Sequence, residues 1–196
     1  MAPVFDPTSF EAITVRIEGG VAWVTLNRPD VLNAFNTQMQ NEVRETWEAF
    51  RKIDDVRVIV LTGSGDKSFC VGIDREETMS ALDENENLYG TSNNFMYDDP
   101  GNDLGPKSCD LWKPVICAVN GICCGGAFYF LSECDIIIAS ENATFFDPHV
   151  TYGMPAVYEP IKMTQRMPLG EILRLTLLGN HERLSAASAL RTGLVS

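Results

Sequence analysis

Apolar and polar positions fall into short runs from the start of the chain. Ile13–Glu18 and residues 21–27 carry β-branched residues on either side of Gly19-Gly20, which predicts two strands joined by a tight hairpin. Beyond them Asn36 is placed to cap a helix, and Met39, Val43, Trp47 and Phe50 recur at steps of four, four and three, a stripe along one helical face. Residues 57–61 form a β-branched run ending at Thr62-Gly63, the pattern of a buried strand. Val115–Val119 and Ile136–Ala139 repeat that pattern, separated by a predicted small-residue helix over 125–134. Strands alternating with helices predict an α/β layer structure with right-handed crossovers, although no sequence repeat accompanies it. The last third reads as helices over 157–166, Leu169–Leu178 and 185–191, broken by Pro168 and by Gly179-Asn180. Between 76 and 110 the chain turns to Asp, Glu, Asn, Gly and Pro, and no period survives past Leu82. This predicts a long acidic loop region, either a functional lid or a solvated insertion.

Composition narrows the function classes. A chain of 196 residues with 45% apolar and 21% charged positions is expected to fold as one domain, 1–196. No stretch approaches the roughly twenty apolar residues that span a bilayer, and the N-terminus lacks a basic segment followed by an apolar run, so neither membrane insertion nor export is expected. The six cysteines show no paired Cys-x-x-Cys spacing, which favours reduced, buried thiols in a cytoplasmic protein over a disulfide framework. A net charge of −12 argues against a nucleic-acid surface. An anionic ligand must therefore be held by local donors.

Two glycine-rich turns follow predicted strands, Gly63 to Asp74 after the first and Asn120 to Ala127 after the second. Glycine lets the backbone approach a ligand, and the second turn feeds a helix N-terminus that favours an anion. Together the two turns can form an oxyanion hole. A dinucleotide site fails on spacing, because Gly63-x-Gly65 lacks a third glycine and Gly121 and Gly125 are wrongly spaced; no phosphate-loop Gly-Lys-Ser/Thr occurs either.

Several motifs occur in the order of a known family. Leu26-Asn27-Arg28-Pro29 with Leu32-Asn33-Ala34, the Ser68 to Asp74 loop, Lys113-Pro114-Val115 leading to Ala118-Val119-Asn120-Gly121, and Cys134-Asp135-Ile136 resemble the enoyl-CoA hydratase/isomerase (crotonase) pattern. The stretch from Gly179 to Ala187, with Leu190 to Val195, is similar to that family's helical end-piece. The resemblance implies a spiral of ββα units with a helical C-terminal part, assembled as a homotrimer or hexamer. It implies an acyl-CoA substrate of the kind met in fatty acid metabolism, with coenzyme A as part of the substrate and no other cofactor. It assigns the oxyanion donors to the backbone amides of Cys70 and Gly126, and coenzyme A contacts to Arg28, Ala34, Gly72 and Ile73. Arg28 can equally be a surface arginine at a strand end.

The pattern also departs from the family. Familiar hydratases use two glutamates to hold and activate water, and the matching positions here are Tyr129 and His149. Tyr129, with an ordinary pKa of about 10, is a poor base but can donate a hydrogen bond. His149 titrates near pH 6.5 and can shuttle a proton, with Asp147 or Glu159 as orienting carboxylates; otherwise it packs the loop. His181 reads as surface decoration. With only two histidines and no cysteine pairs beside them, no metal site is expected. Three functions follow: an enoyl-CoA hydratase/isomerase-type lyase using His149, a carbon–carbon bond hydrolase acting on a β-dicarbonyl, and a non-catalytic acyl-CoA-binding protein. The family pattern continues into further helices beyond Val195, so a truncated helical segment with exposed apolar surface is a further expectation.

Overall fold

The computed structural model describes residues 5–83 and 99–196. Strands β1 (Ile13–Glu18) and β2 (Val21–Leu26) pair antiparallel across Gly19-Gly20, whose φ angles of +60° and +85° are those the tight turn requires. Helix α1 (Thr37–Phe50) starts where Asn36 Oδ1 accepts the Met39 amide at 3.0 Å. It buries the predicted stripe, with Met39, Val43, Trp47 and Phe50 fully enclosed. Its Glu42 side chain accepts the amides of Glu11, Ala12 and Ile13 at 2.9–3.0 Å, which ties the helix to the start of β1.

The chain then alternates between two sheets. β3 (Val58–Gly63) joins the first sheet and β4 (Ser68–Cys70) starts a second. After α2 (Arg75–Asp83) and the single turn α3 (Gly101–Leu104), β5 (Val115–Val119) returns to the first sheet and β6 (Ile122–Cys124) to the second. After α4 (Phe128–Leu131), β7 (Ile136–Ala139) and β8 (Thr144–Phe146) repeat the step. Helices α5 (Tyr158–Met163) and α6 (Leu169–Leu178), the short β9 (Leu184–Ser185) and α7 (Ala186–Thr192) complete the described chain. The five-stranded sheet has the order β1-β2-β3-β5-β7 and the four-stranded one β4-β6-β8-β9. Each repeat places one strand in each sheet, which is the expected spiral of ββα units. Ile59, Leu61, Val115 and Cys117 project from the first sheet into a core that also holds Phe69, Phe128, Phe130 and Phe145.

Several local expectations change. The second sheet gave no periodic signal because β4, β6 and β8 are three residues long, and β4 and β6 sit inside the glycine-rich turns. The helix expected over 125–134 is a three-residue 3-10 turn, Gly125–Ala127, followed by the four residues of α4. Such a short element gathers little macrodipole, so its amides act as individual donors. β7 is an edge strand rather than a buried one, with Ile136 and Ile138 about half exposed. The acidic region is helical at α2 and α3 and irregular elsewhere among its described residues, and the part of that expectation over 84–98 lies outside the described residues. Among the described residues no helix is long and apolar enough to cross a membrane.

Candidate active site

The ends of β4 and β6 bring the two glycine-rich turns together. Gly72 has φ +88° and Gly125 φ +55°, both in the left-handed region. A Cβ on Gly72 would stand 3.0 Å from the Gly126 amide nitrogen and 3.2 Å from the Cys124 carbonyl oxygen. A Cβ on Gly126 would meet the buried Phe35 ring at 2.6 Å. Neither position has room for a side chain. Phe35 also anchors the first turn: its amide donates to Gly72 O and its carbonyl accepts the Asp74 amide, both at 2.8 Å. This bridge passes on either side of Ile73, and no hydrogen bond among the described residues uses the Ile73 amide. Gly126 is the second residue of its 3-10 turn, where an amide has no partner inside the helix.

The segment before Phe35 is held just as tightly. Asn33 is fully buried at φ +57°; its Oδ1 accepts the Arg28 amide and the Ser64 hydroxyl, and its Nδ2 donates to the carbonyls of Ser64 and Ser68, all at 3.0–3.2 Å. Asn33→Ala removes all of these at once and leaves buried groups unpaired, which should cost about 2–4 kcal/mol in a denaturant melt. Arg28 Nη1 donates to Ala34 O at 2.7 Å and pairs with Asp74 Oδ2 at 2.8 Å. It is thus a clamp between the two segments.

Between these segments lies a cleft of about 530 Å³. Ala34, Gly72, Ile73, Gly126 and His149 line it, so five of the expected site residues share one space. Arg28, Cys70, Tyr129 and Asp147 do not. Cys70 pairs with Cys123 inside the second sheet and is fully buried, its thiol pushed up to about 12 by burial. In the first turn, Ile73 lines the cleft and Cys70 does not. A second cleft of about 540 Å³ is lined by Lys107, Glu133, Asp135 and Lys162, but these are already joined in the pairs Lys107–Asp135 and Lys162–Glu133.

His149 stands between two carboxylates. Its Nδ1 lies 2.5 Å from Asp147 Oδ1, and the same oxygen accepts the His149 backbone amide at 3.0 Å. On the other side of the ring, Nε2 is 3.6 Å from Glu159 Oε1. Asp147 is 1% and Glu159 3% exposed. Tyr129, on α4, packs against the rings of Phe35 and Tyr158, and its hydroxyl is 3.5 Å from Asp99 Oδ2. Burial, followed by the charges of Glu159 and Asp99, raises its pKa well above the ordinary tyrosine value, so it stays a hydroxyl.

The family model for enoyl-CoA hydratase/isomerase matches residues 16–196. The chain belongs to this family. Among its relatives, an (E)-benzylidenesuccinyl-CoA hydratase of Thauera aromatica is 35% identical over 94% of the chain and 68% of its own length. A short-chain-enoyl-CoA hydratase of Clostridium acetobutylicum is 35% identical over 91% of the chain and 65% of its own length. A solved enoyl-CoA hydratase/isomerase from Mycobacterium paratuberculosis superposes with a TM-score of 0.81 at 38% identity, over 95% of this chain and 68% of that one. The chain thus spans about two thirds of the length of these crotonase-family relatives.

In this crotonase the titration of the site has a definite sign. The hydrogen bond that His149 donates to Asp147 raises the pKa of His149 above 6.5, and burial raises that of Glu159 above 4.5. Both groups hold protons more tightly folded than unfolded, so their contribution to stability is fully present below the unfolded values and is lost as pH rises through the folded ones. Glu159→Gln cannot lose a proton. Its melting temperature relative to wild type should therefore climb as pH goes from 5 to 8, and a constant difference would contradict the assignment. The sequence pointed to Glu159 only as one of two orienting carboxylates. Its one sign of importance was a glutamate placed among the apolar Val157, Tyr158 and Ile161.

Proposed function

We propose that the protein binds an acyl-CoA thioester and stabilises the enolate formed on it, in a reaction of the enoyl-CoA hydratase/isomerase type. One observation carries this reading: two glycine turns meet at a cleft that also holds His149. The thioester oxygen is held by the Ile73 and Gly126 amides, whose donor strength is worth most where charge develops; loss of one such donor typically costs roughly 10² to 10³ in rate. Asp147 keeps the Nδ1 proton of His149 in place, which leaves Nε2 to take a proton from, or return it to, the reacting carbon or water. Tyr129, lying behind Gly126, serves as a neutral donor and not as the base.

Ala34, Gly72 and Ile73 contact the thioester and the arm that follows it. Arg28 is engaged by Asp74, so the anionic part of coenzyme A is assigned instead to two cations on the cleft, Arg75 over the Tyr152 ring at 4.1 Å and Arg183 over the Phe146 ring at 4.4 Å. Coenzyme A enters only as part of the substrate, and no metal takes part. Assembly as a homotrimer or hexamer belongs to the same proposal, with Ile136, Ile138, Leu173 and Leu177 supplying exposed apolar surface.

The His149–Asp147 pair also favours a second reading, in which imidazole activates water against a β-dicarbonyl and a carbon–carbon bond breaks to give the same enolate. A panel of enoyl-, 3-oxo- and β-dicarbonyl-CoA esters, read by mass spectrometry, tests both. Hydration of an enoyl ester supports the first reading and cleavage of a β-dicarbonyl ester the second. Binding of the esters with no turnover would instead make the chain a binding protein.

A further inference from the structure

Glu159 is a carboxylate with an unmet demand. It is 3% exposed, and its Oε1 accepts no hydrogen bond, although a buried carboxylate oxygen left in that state is costly. The nearest ring nitrogen is His149 Nε2, at 3.6 Å, a few tenths of an ångström beyond hydrogen-bond range. That nitrogen is also the working one, because Asp147 occupies Nδ1. Any proton His149 takes from the cleft therefore arrives beside a buried carboxylate whose other polar neighbour is the Tyr129 hydroxyl.

We infer that Glu159 is the second station of that proton: His149 and Glu159 share it, and the pair, rather than His149 alone, is the acid/base unit of the site. When the proton passes on, the Nε2–H bond breaks and its electron pair returns to the ring. The Oε1–H bond forms, and imidazolium plus carboxylate become neutral imidazole plus carboxylic acid with no change in net charge. Glu159 is thus a positioning residue that acts through His149. The groups that face it are His149, Asp147, Asp99 and Tyr129. Two of these are carboxylates, and with burial they favour the protonated form of Glu159, as a proton acceptor in this place requires. This step rests on the reading of His149 as the proton-moving group.

The test follows the His149 imidazole by NMR in the full chain with isotope-labelled histidine, His181→Gln assigning the only other histidine. In the wild type His149 should titrate above its ordinary value and in two steps, as coupled groups do. Glu159→Gln should leave one step, moved downward in pH. The same substitution should move the pH profile of kcat by a similar amount while KM stays within about twofold. Glu159→Asp, which keeps the charge, should retain part of the shift. An unchanged His149 titration in Glu159→Gln overturns the inference, whatever happens to activity. Should that variant fail to fold, a wild-type titration in a single step at the ordinary value does the same. Full activity in His149→Ala would defeat the underlying reading of the site, and the NMR comparison keeps that failure distinct from this one.

Discussion

His149→Ala is expected to lower turnover by roughly 10² to 10⁴ while acyl-CoA affinity changes little, as removal of a proton-transfer group does. Binding survives because the donors assigned to the thioester oxygen are main-chain amides at Ile73 and Gly126. The substitution also leaves Asp147 and Glu159, both buried, without the ring that separates them. Part of any loss in the alanine variant could therefore come from repulsion between carboxylates. His149→Asn settles this, because an amide restores a donor to the pocket without an acid/base group. Equal rate losses in both variants, measured together with the dissociation constant on folded protein, identify proton transfer. A histidine that only packs its loop would instead show stability and affinity falling together, largely repaired by asparagine.

The second large effect is expected at the meeting point of the two turns. Gly126→Ala puts a methyl group where the Phe35 ring now lies 2.6 Å away, and Phe35 is 1% exposed, so the turn and its amide must move. Turnover should fall by roughly 10² to 10³ as the donor leaves its position. Stability should fall by about 1–3 kcal/mol from overpacking. Gly72→Ala should act similarly, through its φ of +88° and the 3.0 Å approach to the Gly126 nitrogen. Gly19→Ala is the control: it shares a positive φ of +60° but meets nothing within 4 Å and lies away from the cleft. It should lose stability and keep the turnover of each folded molecule.

The contrast between those glycines shows what the sequence could and could not convey. Long periodic elements were legible: the stripe from Met39 to Phe50, the Asn36 cap and the β-branched runs of the first sheet all stand where their patterns placed them. The second sheet was not, because a three-residue strand completes barely one alternation and its pairing is set by partners distant in the chain, as between Ser68 and Ile122. The glycine turns were visible as turns, but which amide reaches the cleft depends on the Phe35–Ile73 bridge, a contact that no local pattern encodes. Arg28 had the right type for a phosphate contact; only the position of Asp74 reveals that it is already engaged. Glu159 was hard to see for a similar reason. Its environment is built from α3–α5 flanks and the loop after β8, brought together by folding.

The central claim is that an enolate forms on the thioester at the Ile73 and Gly126 amides and is protonated at carbon. Turnover of enoyl- and β-dicarbonyl-CoA esters in deuterated water tests this directly, since hydration and carbon–carbon cleavage both end with a solvent-derived proton on the α-carbon. Mass spectrometry of the product after return to ordinary water should find one retained, carbon-bound deuterium in the hydrated enoyl ester, and more than one in a cleaved β-dicarbonyl ester whose acidic α-hydrogens also exchange; product formation by Gly126→Ala should be slower by roughly 10² or more. Product formed without carbon-bound deuterium, or formed at an unchanged rate by Gly126→Ala, would contradict the account.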